Sequence, residues 1–139
     1  MFHTVILVGN LGKDPEMRYT PSGQAVTNFN VASSRQHTDS NGQLVKETIW
    51  FRVSAWGKTA EACNNYLKKG SKVLIEGRLV PDQTTGGPRT YTRQDGTAGA
   101  SFEVSALTVR FLSSRGETEG GYQVSESPGG GEEEGEIPF

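Results

Sequence analysis

The sequence has little of what metal and redox chemistry needs. Cys63 is the only thiol, and His3 and His37 are the only imidazoles, in 139 residues. One cysteine excludes an internal disulfide and any cysteine-based zinc site, and it suits a reducing cytosol. The two histidines show no HExxH or related spacing and read as surface or loop groups, so neither a metal nor a cofactor is expected. No apolar run approaches the roughly 18 residues of a membrane span. The opening MFHTVILVGN lacks the basic region and small-residue cleavage site of a secretory signal, so the expectation is a cytoplasmic chain with no membrane partner. Catalytic signatures are missing too. There is no GxxxxGK[ST], Gly9-Asn10-Leu11-Gly12 is too short for a dinucleotide fingerprint, and its glycines read as strand-end turns. Acids are scattered, with no close pair for acid–base or two-metal work, so an enzyme is not expected.

Apolar residues are also scarce, at 33%, and they are unevenly spread. Residues 113–139 hold seven of the 18 glycines and seven of the 16 acids but only one base, Arg115. Such a composition cannot bury enough apolar surface to offset the entropy of ordering. Residues 1–112 carry 13 bases and 9 acids, a net of +4, whereas the remainder carries 1 and 7, a net of −6. The reading is a folded domain over 1–112, a flexible Gly/Ser/Glu-rich linker over 113–131 and an acidic tip over 132–139.

The folded part reads as all-β with one short helix. Strands are expected over Thr4–Val8, Ala25–Ser33, Lys46–Trp56 and Lys72–Val80, with a polar loop over His37–Gln43. A helix is expected over Lys58–Lys69, with Ala62, Tyr66 and Leu67 on its buried side and Gly70 as its stop. Arg89–Gln94 and Thr97–Leu112 look like a hairpin with Asp95-Gly96 at its tip. Some five strands with one helix between the third and fourth is the element order of an OB-fold barrel, an order that other small barrels could share.

The segment from Thr48 to Trp56 carries the chemistry. Alternation puts Ile49, Phe51, Val53 and Ala55 on one face, and Trp50, Arg52, Ser54 and Trp56 on the other. The second face holds both tryptophans. They either pack against the helix or a neighbouring subunit, or form a platform on which nucleobases stack at about 1–3 kcal/mol each, whatever their sequence. A distributed track of bases that includes Arg35, Arg52, Lys58, Lys68, Lys69 and Arg93 favours the platform, because phosphates need such a track. Tyr91, between Arg89 and Arg93, repeats the aromatic-between-bases pattern on a projecting arm, where a ring at the tip can close over a flexible strand.

At this point the residues resemble a family. Thr4 to Gly12, Asp14-Pro15-Glu16, Arg18-Tyr19 and Gly23 are similar to the opening of the bacterial single-stranded DNA-binding proteins. Trp50 to Lys58, Ala60-Glu61, Tyr66-Leu67, Lys69-Gly70 and Glu76-Gly77 continue the likeness, which covers roughly residues 3–112. The resemblance implies an OB-fold homotetramer that wraps single-stranded DNA in replication, recombination and repair. It places stacking positions on Trp50, Trp56 and Tyr91, and backbone contacts on Arg52, Lys58, Lys68 and Lys69. A further family tryptophan falls near His37, and Val80 to Pro88 looks like an insertion. The chain ends Glu132-Glu133-Glu134-Gly135-Glu136-Ile137-Pro138-Phe139, similar to the family's acidic tip, which implies docking of replication and repair enzymes there. An interaction hub that mainly oligomerises, and a module for structured RNA, are the alternative readings. For assembly, the expected apolar strand surface is Val5 and Leu7.

Overall fold

The computed structural model describes residues 1–113. The acidic tip and all but the first residue of the linker therefore lie outside the described residues. Among the described residues, seven strands and one helix run in the order β1 (Val5–Leu11), β2 (Glu16–Tyr19), β3 (Ala25–Thr38), β4 (Leu44–Trp56), α1 (Gly57–Tyr66), β5 (Lys72–Val80), β6 (Arg89–Thr92) and β7 (Ala98–Phe111).

Five of the strands close a barrel in the order β1-β5-β7-β4-β3, and β3 returns to β1 at Asn10↔Ala32 and Leu11↔Val31. The β4–β7 pair is parallel and the other pairs are antiparallel. The helix falls between the third and fourth barrel strands, the OB arrangement expected from element order. Closure depends on Gly9. A Cβ there would stand 2.2 Å from the Ala32 carbonyl oxygen, so only glycine lets β3 cross at this point. The strand thus continues through Gly9 to Leu11 instead of ending in a turn there.

Alternating side chains from the five strands fill the interior. Val31, Val53, Val73 and Ile75 are fully enclosed, with Val104, Phe29 and Leu7 close behind. Phe29 and Val31 share the inner face as their spacing predicts. Helix α1 covers one end of the barrel, and the buried Thr27 hydroxyl ties it down by donating to the Ala60 carbonyl at 2.6 Å. Its buried side is Ala60 and Cys63, continued by Leu67, whereas Tyr66 is 71% exposed. Of the expected side of Ala62, Tyr66 and Leu67, Leu67 is buried and Ala62 half-buried, while Tyr66 turns outward; the helix stops at Tyr66, before Lys68 and Lys69, and Leu67 is already extended. Burial holds the Cys63 thiol protonated, with its pKa pushed up to about 11.

Other departures concern the edges. The four-residue β2, too short and polar to signal itself, pairs with β3 outside the ring. The expected loop from His37 to Gln43 contracts to a turn, where the Asp39 carboxylate accepts N–H bonds from Asn41 and Gln43 at 2.9 Å. The β3 and β4 strands therefore extend as an arm past the barrel, and Ile49, assigned to the core by parity, is 47% exposed because no layer covers it there. On β1 the exposed apolar residues are Ile6 and Val8, at 65% and 44%, while Leu7 is buried and Val5 half-buried. The apolar surface expected at Val5 and Leu7 is thus the opposite parity of the strand, since the odd residues point into the barrel. The segment Pro81 to Pro88 is a compact loop. Its Asp82 carboxylate accepts bonds from the Thr84 and Thr85 N–H groups, which hold it below the usual carboxylate range.

Candidate nucleic-acid interface

The outward face of β4 crosses the barrel wall. Trp50 and Trp56 are 54% and 42% exposed, so neither indole is enclosed by the helix. Opposite Arg52 stands Asn30 of β3, and the Ser54 hydroxyl donates to Asn28 Oδ1 at 2.7 Å. Six strand rises separate the two tryptophans by roughly 20 Å.

The hairpin β6–β7 rises beside this face. In β6 Arg89 and Tyr91 share a parity that Arg93, just past the strand, continues, and Tyr91 lies opposite Gly99. Between hairpin and barrel wall opens a groove of about 520 Å³, lined by Asn30, Trp50, Phe51, Arg52, Arg89, Tyr91, Ala100, Ser101 and Glu103. Its charged walls are two arginines against one glutamate. Glu103 Oε1 sits 3.8 Å from Arg89 Nη1, and the Ser101 hydroxyl donates to Oε2 at 3.2 Å. Phe51 and Phe102 support the floor with ring centroids 6.2 Å apart.

The predicted residues fall into three groups. Trp50, Arg52 and Tyr91 meet in the groove. Tyr91 belongs to the paired body of the hairpin and not to its tip, because the turn is made by Arg93 to Thr97, closed by Arg93 N–H to the Thr97 carbonyl at 2.8 Å. The Arg93 guanidinium stands over the Tyr91 ring, 5.8 Å from its centroid, and also donates to the Ala98 carbonyl.

A second group lies outside the groove lining. Lys68 and Lys69 are exposed in the turn after α1. That turn is fastened to the β1–β2 connection by Gly70 N–H to the Leu11 carbonyl at 2.9 Å and Lys69 N–H to Asp14 Oδ1 at 2.8 Å. Trp56 and the exposed Lys58 lie at the far end of β4.

Arg35 stands apart. Counting from Phe29 and Val31, it has the inward parity of β3, and its Nε donates to Glu47 Oε1 at 3.0 Å across the arm. The arginine holds the Glu47 carboxyl below its ordinary range.

Sequence reasoning counts Arg89 only as one base of the distributed track, not as a site residue, and misses Asn30, Ser101 and Glu103. The Arg89-Tyr91-Arg93 spacing carried the signal for the first. The other three come from strands whose register with β4 and β6 no local pattern reveals.

Comparison with known proteins follows this geometry. Residues 2–112 match the single-strand binding protein family. The single-stranded DNA-binding protein of Wolinella succinogenes is 42% identical over 123 residues, covering 88% of this chain and 72% of its own length. Single-stranded DNA-binding protein 1 of Chlorobaculum tepidum is 38% identical and covers 97% and 96% of the two chains. Among solved structures, a deletion mutant of the single-stranded DNA binding protein from Thermus aquaticus superposes with a TM-score of 0.62 at 32% identity, over 81% of this chain and 51% of that one. The match takes in the whole barrel, the aromatic face of β4 and the β6–β7 hairpin, and the chain belongs to the single-strand binding protein family.

Proposed function

We propose that this protein binds single-stranded DNA without sequence preference and protects it during replication, recombination and repair in the cytoplasm. The observation that carries the reading is the meeting of Trp50, Arg52, Arg89 and Tyr91 on one open groove. Indole and phenol faces can stack on any unpaired base, and guanidinium groups between them can take the intervening phosphates. A paired base hides its faces, so duplex DNA should compete poorly. The relatives' names support the binding of single-stranded DNA, and the family is one of binding proteins rather than enzymes.

Two finer proposals accompany it. Assembly as a homotetramer would cover the exposed Ile6 and Val8 of β1. The acidic tip, Glu132, Glu133, Glu134, Glu136, Ile137, Pro138 and Phe139, would recruit replication, recombination and repair proteins, with the terminal ring entering an apolar pocket and basic residues holding the carboxylates.

The test is a titration of tryptophan fluorescence with an unstructured oligonucleotide at several salt concentrations. Strong quenching is expected, because the indoles would stack on bases. Unchanged emission at saturating DNA would overturn the platform.

A further inference from the structure

The barrel's glycines divide into two kinds by what occupies the space of the missing side chain. At Gly9 and Gly77 it is backbone, with the Ala32 and Ser105 carbonyl oxygens 2.2 and 2.3 Å from a Cβ. At Gly12 and Gly99 it is an aromatic ring. A Cβ on Gly12 would stand 2.7 and 2.8 Å from Cζ3 and Cη2 of Trp50, with the next ring carbon, Cε3, at 3.9 Å. Two adjacent carbons close and the third distant describe an edge-on approach, so the indole rests its benzo edge on the Gly12 backbone and turns neither face to it. A Cβ on Gly99 would stand 2.7, 2.8 and 2.9 Å from Cζ, Cε2 and Oη of Tyr91. Three near-equal distances place it over the phenol end of the ring, so the phenol lays one face across its cross-strand partner, with the Arg93 guanidinium over the ring at 5.8 Å from its centroid.

We infer that Gly12 and Gly99 are positioning residues of the DNA site: each is glycine so that a stacking ring of the groove can lie against the main chain in a preset orientation. The inference rests on the function proposed above. Both rings line the same groove, and both seats come from other strands or loops than the ring itself. A ring already held in place has less rotamer freedom to lose when a base arrives. The atoms that would clash are the far ends of side chains. Adding a methyl group should therefore move the ring and leave the barrel intact, unlike the same change at Gly9 or Gly77.

The experiment is a pair of double-mutant cycles on the full chain, Gly12→Ala with Trp50→Ala and Gly99→Ala with Tyr91→Ala. It is read by thermal unfolding and by affinity for an unstructured oligonucleotide. For Gly12→Ala, we expect a shifted tryptophan emission or near-ultraviolet circular dichroism without DNA, and an affinity loss of about threefold or more that vanishes in the Trp50→Ala background. Gly99→Ala should likewise weaken binding only while Tyr91 is present. Wild-type affinity in either glycine variant, or a loss that persists after its ring is removed, overturns that seat. Should Gly12→Ala fail to fold, a double variant with Trp50→Ala that folds supports the clash with the ring, and one that also unfolds overturns it. If Trp50→Ala and Tyr91→Ala themselves bind as the wild type does, the fault lies in the proposed function and not in the seats.

Discussion

Tryptophan on a strand face can be core or platform, and removing it distinguishes the two. Trp50→Ala or Trp56→Ala should weaken oligonucleotide binding by about 1–3 kcal/mol while the thermal midpoint barely moves, because both rings are half exposed. Ile75→Ala should do the opposite: its side chain is fully buried, and the cavity should cost about 2–5 kcal/mol in denaturant unfolding. Loss of folding in a tryptophan variant would return the indoles to the core. Cys63 supplies an independent probe of the interior. Desolvation raises its pKa from 9.0 to about 11, so the native thiol should resist a thiol-reactive dye at pH 8 and react only as the barrel opens. The sign for stability follows from proton counts. Between pH 9 and 11 the unfolded chain releases the Cys63 proton and the folded chain keeps it, so this group lowers stability as pH rises through that window and leaves it unaffected below.

Among the elements, the strand-crossing points are the sensitive ones. Gly9→Ala and Gly77→Ala each force a methyl group into a carbonyl of the neighbouring strand, and each should lower stability by about 1–3 kcal/mol in chemical denaturation. Unchanged stability would mean that the strands can separate at no cost. This requirement was only half visible in the sequence. Alternation in Trp50 to Trp56 revealed which residues face out, and the Lys72–Val80 strand matched its sequence bounds, because period-2 patterns and flanking glycines are local signals. The burial of Leu67 is legible, but the exposure of Tyr66 and the end of the helix are not, because they depend on where Leu67 turns into the barrel. Arg35 was placed in the site on charge alone, although its parity with Phe29 and Val31 already set it on the other face. Groove residues such as Asn30 and Glu103 depend on long-range register, which local periodicity does not encode.

For the whole molecule, charge and assembly are the measurable quantities. The affinity should fall with salt at a log–log slope of about −0.7 for each phosphate neutralised, and deleting the acidic tail should, if anything, tighten binding at low salt. A tail-less protein that no longer binds single strands would place the site in the wrong half of the chain. Sedimentation at micromolar concentration should show a tetramer, and a stable monomer would refute the role given to Ile6 and Val8. Barrel closure also bears on how the chain acquires its shape. The strand β7 supplies partners to both β4 and β5, with Phe51 meeting Phe102 and Val73 meeting Phe111. Until residue 111 is available, the emerging polypeptide has a β3–β4 hairpin whose outer edge lacks its β7 partner. Folding must therefore wait for the end of the domain. Refolding should be slow for this size, on the millisecond-to-second scale of barrels rich in non-local contacts. A chain truncated before β7 should expose unpaired strand edges and aggregate.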